Sequence, residues 1–174
     1  RMIEASALAV ALTSIVSAAS MASDGVIEIN QTCAVQTGCV TGDAPGFPVS
    51  LGQSGSYRLT SDLTVDSGDD GINAFVPGVS IDLNGFTVSG PVVCTGSGAS
   101  LSCSGAAGGT GVRFDGAGRY SLRNGRVTGF AVAGVAGGSR VRIRRVHTEG
   151  NGEQGIRVNK GSIVTRSSGV RGGE

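Results

Sequence analysis

The chain of 174 residues suits one domain with a buried core, and its make-up excludes an ordinary α/β enzyme. It carries 31 Gly, no Trp, 4% aromatic residues and only 16% charged residues, while strong helix formers are scarce beyond the N-terminus. The net charge of +1 hides a polarised chain, with 2 basic against 9 acidic residues up to Val112 and 12 against 4 from Arg113 onward.

Residues 1–22 read as an export signal. The apolar run "ALAVALTSIV" (7–16) has the length of a signal core, and "SAASMA" offers small residues for cleavage after Ala19 or Ala22. The run is too short to span a membrane, so the export signal is the one membrane link expected. Its positive flank is weak, since Arg1 is followed by Glu4; a short helix packed on the fold is the competing reading. A start on Arg points to residues upstream of it.

Residues 23–57 read as an entry and capping segment, without a repeat and with Cys33, Cys39, Pro45 and Pro48. Cys33/Cys39 and Cys94/Cys103 form two local pairs in Gly/Ser/Thr-rich loops. Four cysteines permit three connectivities, and loop economy favours 33–39 with 94–103. A four-cysteine zinc site has poor spacing, with five and eight intervening residues. Asn30-Gln31-Thr32 is a formal glycosylation sequon.

A repeat organises residues 58–174. Gly before a β-branched residue recurs at Gly111-Val112, Gly134-Val135 and Gly155-Ile156, at spacings of 23 and 21. A second alternating strand follows each, starting near Tyr120, Val141 and Ser162. Val88, Val127 and Val146 mark a third short element. Val141 and Ile143 point one way and Arg140, Arg142 and Arg144 the other, as period-2 alternation requires. An earlier coil, Gly71-Ile72 with "VSIDLNGFTVSG", fits once about 18 residues are removed. Ile81, Leu83 and Val88 then match Tyr120, Leu122 and Val127, and residues 91–108 become a disulfide-pinned loop insertion. Coils of about 21–23 residues cannot bury their own apolar side chains and must stack into parallel strands. Leu is too sparse for a leucine-rich repeat, so the expected class is an all-β solenoid. "RSSGVRGGE" stops inside a coil, which points to a longer natural protein.

The stretches "VSIDLNGFTVSG", "YSLRNGRVTGF", "VRIRRVHTEGNGEQGIRV" and "GSIVTRSSGV" resemble the right-handed parallel β-helix, or pectate-lyase-like, superfamily of exported bacterial proteins. The resemblance covers residue 71 onward and, more loosely, residues 55–65. It implies a right-handed, three-sided coil, turn asparagines able to stack (Asn84 and Asn124), and polysaccharide as the substrate class. It specifies a fold better than an activity.

Few residues offer chemistry. Gly150-x-Gly152-x-x-Gly155 has the dinucleotide-binding spacing, but "GIRVNKGSIV" after it is a strand pattern where a helix is required. The glycines turn a corner and start the next strand, so no nucleotide is expected. "GDDGI" resembles the paired acids of β-helix polygalacturonases, with Asp69 and Asp70 as acid and base. The companion Asn-Thr-Asp and Gly-His-Gly groups are absent, and turn acids beside Gly are usually only solvated. Asp66, Asp69 and Asp70 could serve a calcium ion only loosely; otherwise no cofactor or metal is expected. The lone His147, with Glu149 two residues on, could form an acid/base pair or be an exposed polar residue. No Ser-His-acid constellation is visible.

Arg123, Arg142, Arg144 and Arg166 fall at outward positions of successive coils, and Arg113 and Arg157 flank the Gly-Val/Ile strands. Either the ladder binds an anionic polymer such as a uronate polysaccharide or a lipopolysaccharide, or it guards a solvated sheet against aggregation. Export and the lack of stacking aromatics oppose nucleic acid. The expected protein is an exported one, extracellular, cell-surface or periplasmic, that presents an extended surface to carbohydrate. A non-catalytic stalk, adhesin or autotransporter-type passenger is the rival. Any enzyme of this kind would be a polysaccharide lyase or glycoside hydrolase, but no catalytic set is visible.

Overall fold

The computed structural model describes residues 25–96, 100, 102–105 and 108–171; the export signal expected at 1–22 lies outside them. The chain is mostly β. In order it forms β1 (Val26–Ile29), α1 (Gln31–Gln36), β2 (Val49–Leu51), β3 (Gly55–Leu59), β4 (Leu63–Thr64), β5 (Ile72–Ala74), β6 (Val79–Asp82) and β7 (Thr87–Ser89). There follow β8 (Val93–Thr95), β9 (Ser102–Ser104), β10 (Thr110–Thr128), β11 (Ala133–Asn151), β12 (Gln154–Val158), β13 (Ile163–Thr165) and β14 (Ser168–Arg171). Twelve of these strands belong to one sheet, and its described pairings are parallel.

Three parallel ladders run through that sheet. In the first, Val49, Ile72, Val112, Val135 and Ile156 are successive partners. In the second, Tyr57, Ile81, Leu122, Ile143 and Val164 align. The third runs from Leu63 through Val88 and Val127 to Thr148. The long strands β10 and β11 pass through all three, so each is a bent run crossing two corners. Inward positions are apolar and fully buried, including Ile72, Val112, Val135, Ile81, Leu122, Ile143, Val88 and Val127. Each such side chain contributes roughly 1.5–3 kcal/mol over leaving it in water. Val49–Leu51 and Val26–Ile29 already pair in parallel, so the ladders reach back beyond residue 58.

The recurrent glycine has a steric cause. A Cβ on Gly111 would lie 2.0 Å from Val127 Cγ1 and 2.6 Å from the Gly134 carbonyl oxygen. The same notch appears at Gly71, facing Val88 Cγ1 at 2.8 Å, and at Gly134, facing Thr148 Cγ2 at 2.9 Å. At the start of β5, β10 and β11 the chain is thus pressed against a third-ladder side chain, so nothing beyond hydrogen fits.

The register of β10 against β6 differs from the expected one. Tyr120 pairs with Val79 and Leu122 with Ile81, not with Ile81 and Leu83, whereas Val88 does pair with Val127. The physical reason is a wider corner. Leu83 to Phe86 occupies the space that Asn124 and Gly125 fill one layer on, and Leu83 folds inward to full burial. A Cβ on Gly125 would meet Leu83 Cβ at 2.4 Å and Phe86 O at 2.6 Å.

The insertion itself forms an antiparallel hairpin, β8 with β9, closed by the Cys94–Cys103 disulfide. It leans along the stack: Val92 N–H donates to Gly129 O, and the Cys94 sulfur lies 3.5 Å from the Gly150 carbonyl oxygen.

Near the N-terminus the Cys33–Cys39 disulfide clasps α1, a short helix where the Gly/Ser/Thr-rich composition suggests a loop. Asn30 caps it by accepting from Cys33 N–H at 2.9 Å. This segment also serves the first strand edges. Gln31 accepts from Thr64 N–H and donates to Thr64 O, and Asp43 accepts from the N–H groups of Ser50 and Cys39, each at 2.8 Å. Side chains thus supply bonds that a preceding strand would otherwise provide.

Candidate functional site

The second ladder turns its polar side outward, in rungs set by the register. One rung is Ser80, Ser121, Arg142 and Ile163; the other is Asp82, Arg123, Arg144 and Thr165. Period-2 alternation forces Arg142 and Arg144 out because Val141 and Ile143 are in the core. Of the expected arginine ladder, Arg123 is neutralised: its Nε donates to Asp82 Oδ2 at 2.9 Å. Burial pushes the Asp82 carboxyl up. Hydrogen bonds from Asn84 N–H and Asn124, with the Arg123 guanidinium, outweigh that and hold it below the usual carboxylate range.

Arg142, Arg144 and Arg166 have no carboxylate partner among the described residues. Arg144 and Arg166 line a cleft of about 290 Å³ together with Thr165 and Arg145. Arg145, outside the expected arginine ladder, sits at the corner after Arg144 in the left-handed region, φ 53°, and Arg166 repeats this one layer on at φ 49°. The preceding layers place Asn84 (φ 54°) and Asn124 (φ 59°) at this turn, where short polar side chains tolerate such backbone best. The expected asparagine stack is a stack of backbone conformation, since Asn84 donates to Leu59 O and Asn124 to Asp82. Beside the cleft lies a shallow hollow of about 600 Å³, whose wall includes Arg119, Arg140, Arg142 and Ser121. The result is a concave basic strip on one face.

The other arginines are spent differently. Arg113 donates to Asp115 at 2.9 Å and lies 3.5 Å from Asp70; the hydrogen bond to Asp115, then the two negative charges, raise its pKa. Asp70 also accepts from Thr110 N–H at 2.7 Å, and Asp69 accepts from Ser67 Oγ at 2.6 Å. These acids therefore fasten the turn that leads into β5, and they do not meet His147 or Glu149. Among the described residues no group of three or more His, Cys, Asp or Glu is placed to hold a metal ion, Asp66, Asp69 and Asp70 included.

His147 and Glu149 do meet, on the outward side of the third ladder. His147 Nε2 is 3.0 Å from Glu149 Oε2. Arg126 donates to Glu149 Oε1, and Ser168 Oγ is hydrogen-bonded to His147 Nδ1. The hydrogen bond from His147 is the main cause that holds the Glu149 carboxyl below its usual range; burial pushes the other way, and Arg126 adds to the lowering. Ser168 was invisible as a partner in the sequence, although a shift of 21 residues from His147 would have found it.

Both disulfides are formed and no described cysteine is free, which fits an oxidising compartment. No helix of the described residues is long and apolar enough to cross a membrane. No family model matches the chain, nor does any curated protein or solved structure.

Proposed function

We propose that this chain is an exported right-handed parallel β-helix whose basic face binds an acidic polysaccharide through its carboxylates. The observation that carries this reading is the cleft of Arg144, Arg145 and Arg166, three guanidinium groups without an acidic partner among the described residues. Like charges this close repel unless an anion joins them, and guanidinium pairs carboxylate in two parallel hydrogen bonds. Three parallel ladders joined by short corners support the β-helix. Two disulfides and the apolar run at 7–16 support export. A uronate polymer suits the strip because its charges repeat along a line, as the rungs do.

Calorimetric titration with polygalacturonate in low salt tests it. Replacing Arg144, Arg145 and Arg166 together by Ala should weaken binding at least tenfold, and salt should weaken the parent chain's binding. Equal binding by the parent and the triple variant would remove the proposal. The rival is a stalk without ligand, favoured by the separation of Asp69 and Asp70 from His147 and Glu149. It requires that no glycan bind at all.

A further inference from the structure

Ser168, His147 and Glu149 come from two successive layers of the third ladder, where His147 and Ser168 are register partners. The order of contacts is Ser168 Oγ, His147 Nδ1, His147 Nε2, Glu149 Oε2, with Arg126 anchoring the other carboxylate oxygen. An ionised carboxylate can only accept, so Glu149 fixes the hydrogen of the neutral ring on Nε2. That leaves the Nδ1 lone pair facing the Ser168 hydroxyl. Nucleophile, base and orienting acid thus stand in sequence, and such constellations are recognised by geometry and roles whatever the fold. The side chains of His147 and Glu149 are 38% and 40% exposed, so a substrate can reach them. The disulfide-closed hairpin lies against the same strand at Gly150.

We propose that Ser168, His147 and Glu149 form an acyl-transfer site that hydrolyses carboxylic esters. Ser168 Oγ bonds to the ester carbonyl carbon while its proton passes to His147 Nδ1. The ester C–O bond then breaks, and the alcohol leaves with that proton, giving an acyl-serine. Water attacks the acyl carbon, its proton passes through Nδ1 back to Ser168 Oγ, and the free acid departs. No electrons are exchanged and no co-reactant other than water is needed. Glu149 is a positioning residue; Ser168 and His147 are the groups that touch the reacting atoms. The site lies on a different ladder from the basic cleft and does not depend on polysaccharide binding.

An alkyl fluorophosphonate, which needs only the nucleophile and its base, is the probe. Incubation with the disulfide-intact chain should give one covalent adduct, located at Ser168 by peptide mass mapping. Its rate should exceed that of the urea-unfolded chain at least tenfold. Ser168→Ala should abolish the adduct, and His147→Gln should slow it at least tenfold. Glu149→Gln should slow it while Glu149→Asp restores part of the rate, a pattern that loss of packing alone would not give. Circular dichroism and melting of each variant separate loss of chemistry from loss of fold. If the folded parent gives no adduct, or one at a residue other than Ser168, the proposal fails. A folded His147→Gln chain that labels at the parent rate overturns it equally.

Discussion

Asn151 is fully buried and joins two layers of the chain. Its Oδ1 accepts from Phe130 N–H at 3.0 Å, and its Nδ2 donates to Val127 O at 3.3 Å. Asn151→Ala removes the side-chain partner of the Phe130 N–H and one bond to the Val127 carbonyl, at about 1–3 kcal/mol for a buried donor left unpaired and less for the carbonyl. The vacated volume adds a smaller cost, and an entering water would recover part of the sum. The expected loss is about 2–4 kcal/mol. For a chain of this size that lowers Tm by roughly 5–15 °C, and it lowers the urea midpoint at unchanged slope. Asn151→Asp adds a sign check. A carboxyl buried there has its pKa raised above the unfolded value, so the folded state binds more protons. That variant should stand closest to the parent below about pH 4 and fall away as pH rises. Urea titrations of all three chains between pH 3 and 8 supply the test. A loss under about 0.5 kcal/mol for Asn151→Ala, or a pH trend of opposite sign for Asn151→Asp, would refute the bridging role.

Other expectations concern the notch, the corner and the acid limb. Gly111→Ala should cost at least about 2 kcal/mol by overpacking. In a double-mutant cycle, Val127→Ala should recover part of that; strict additivity would dismiss the contact with Val127 Cγ1. Arg145→Asn should raise stability by about 0.5–1 kcal/mol, because Arg pays for φ 53° and Asn pays less. The same change should weaken uronate binding, and a drop in melting temperature would contradict the strain reading. Asp82 titrates below its usual range, so its contribution is present above the unfolded value and is lost as pH falls below about 4. Asp82→Asn should flatten that acid limb in urea midpoints measured from pH 3 to 6, whereas an unchanged limb would assign it to other carboxyls.

The layering of the chain was legible because its cause is local and repeated. Gly followed by Val or Ile marks the notch and first ladder of each layer, and Val141 and Ile143 alternating with arginines mark the second. The pairings of Val112 with Val135 and of Tyr120 with Val141 follow from that spacing. The register at Ile81 was not legible, because a corner two residues wider leaves no trace in composition; apolar Leu83 made the wrong alignment look equally good. The α1 helix is too short for periodicity to declare, and its cap and disulfide hold it. At the sites, Arg142 and Arg144 could be read from alternation. Arg145 could not, since a left-handed Arg has no sequence signature. Ser168 and Asn151 owe their roles to neighbours about one layer away, a relation that a motif search along the chain does not sample.

The glycine notch and the side chain that fills it belong to the same layer: Gly71 with Val88, Gly111 with Val127, Gly134 with Thr148. Each layer therefore carries both halves of its own lock. A cut just before the glycine keeps each notch with the side chain that fills it, while the close approach to the next glycine's carbonyl still depends on the following layer. A cut in mid-layer would pair a notch with a foreign side chain and lose the match. The boundary that keeps both halves of the lock together is written in the sequence as Gly before Val or Ile.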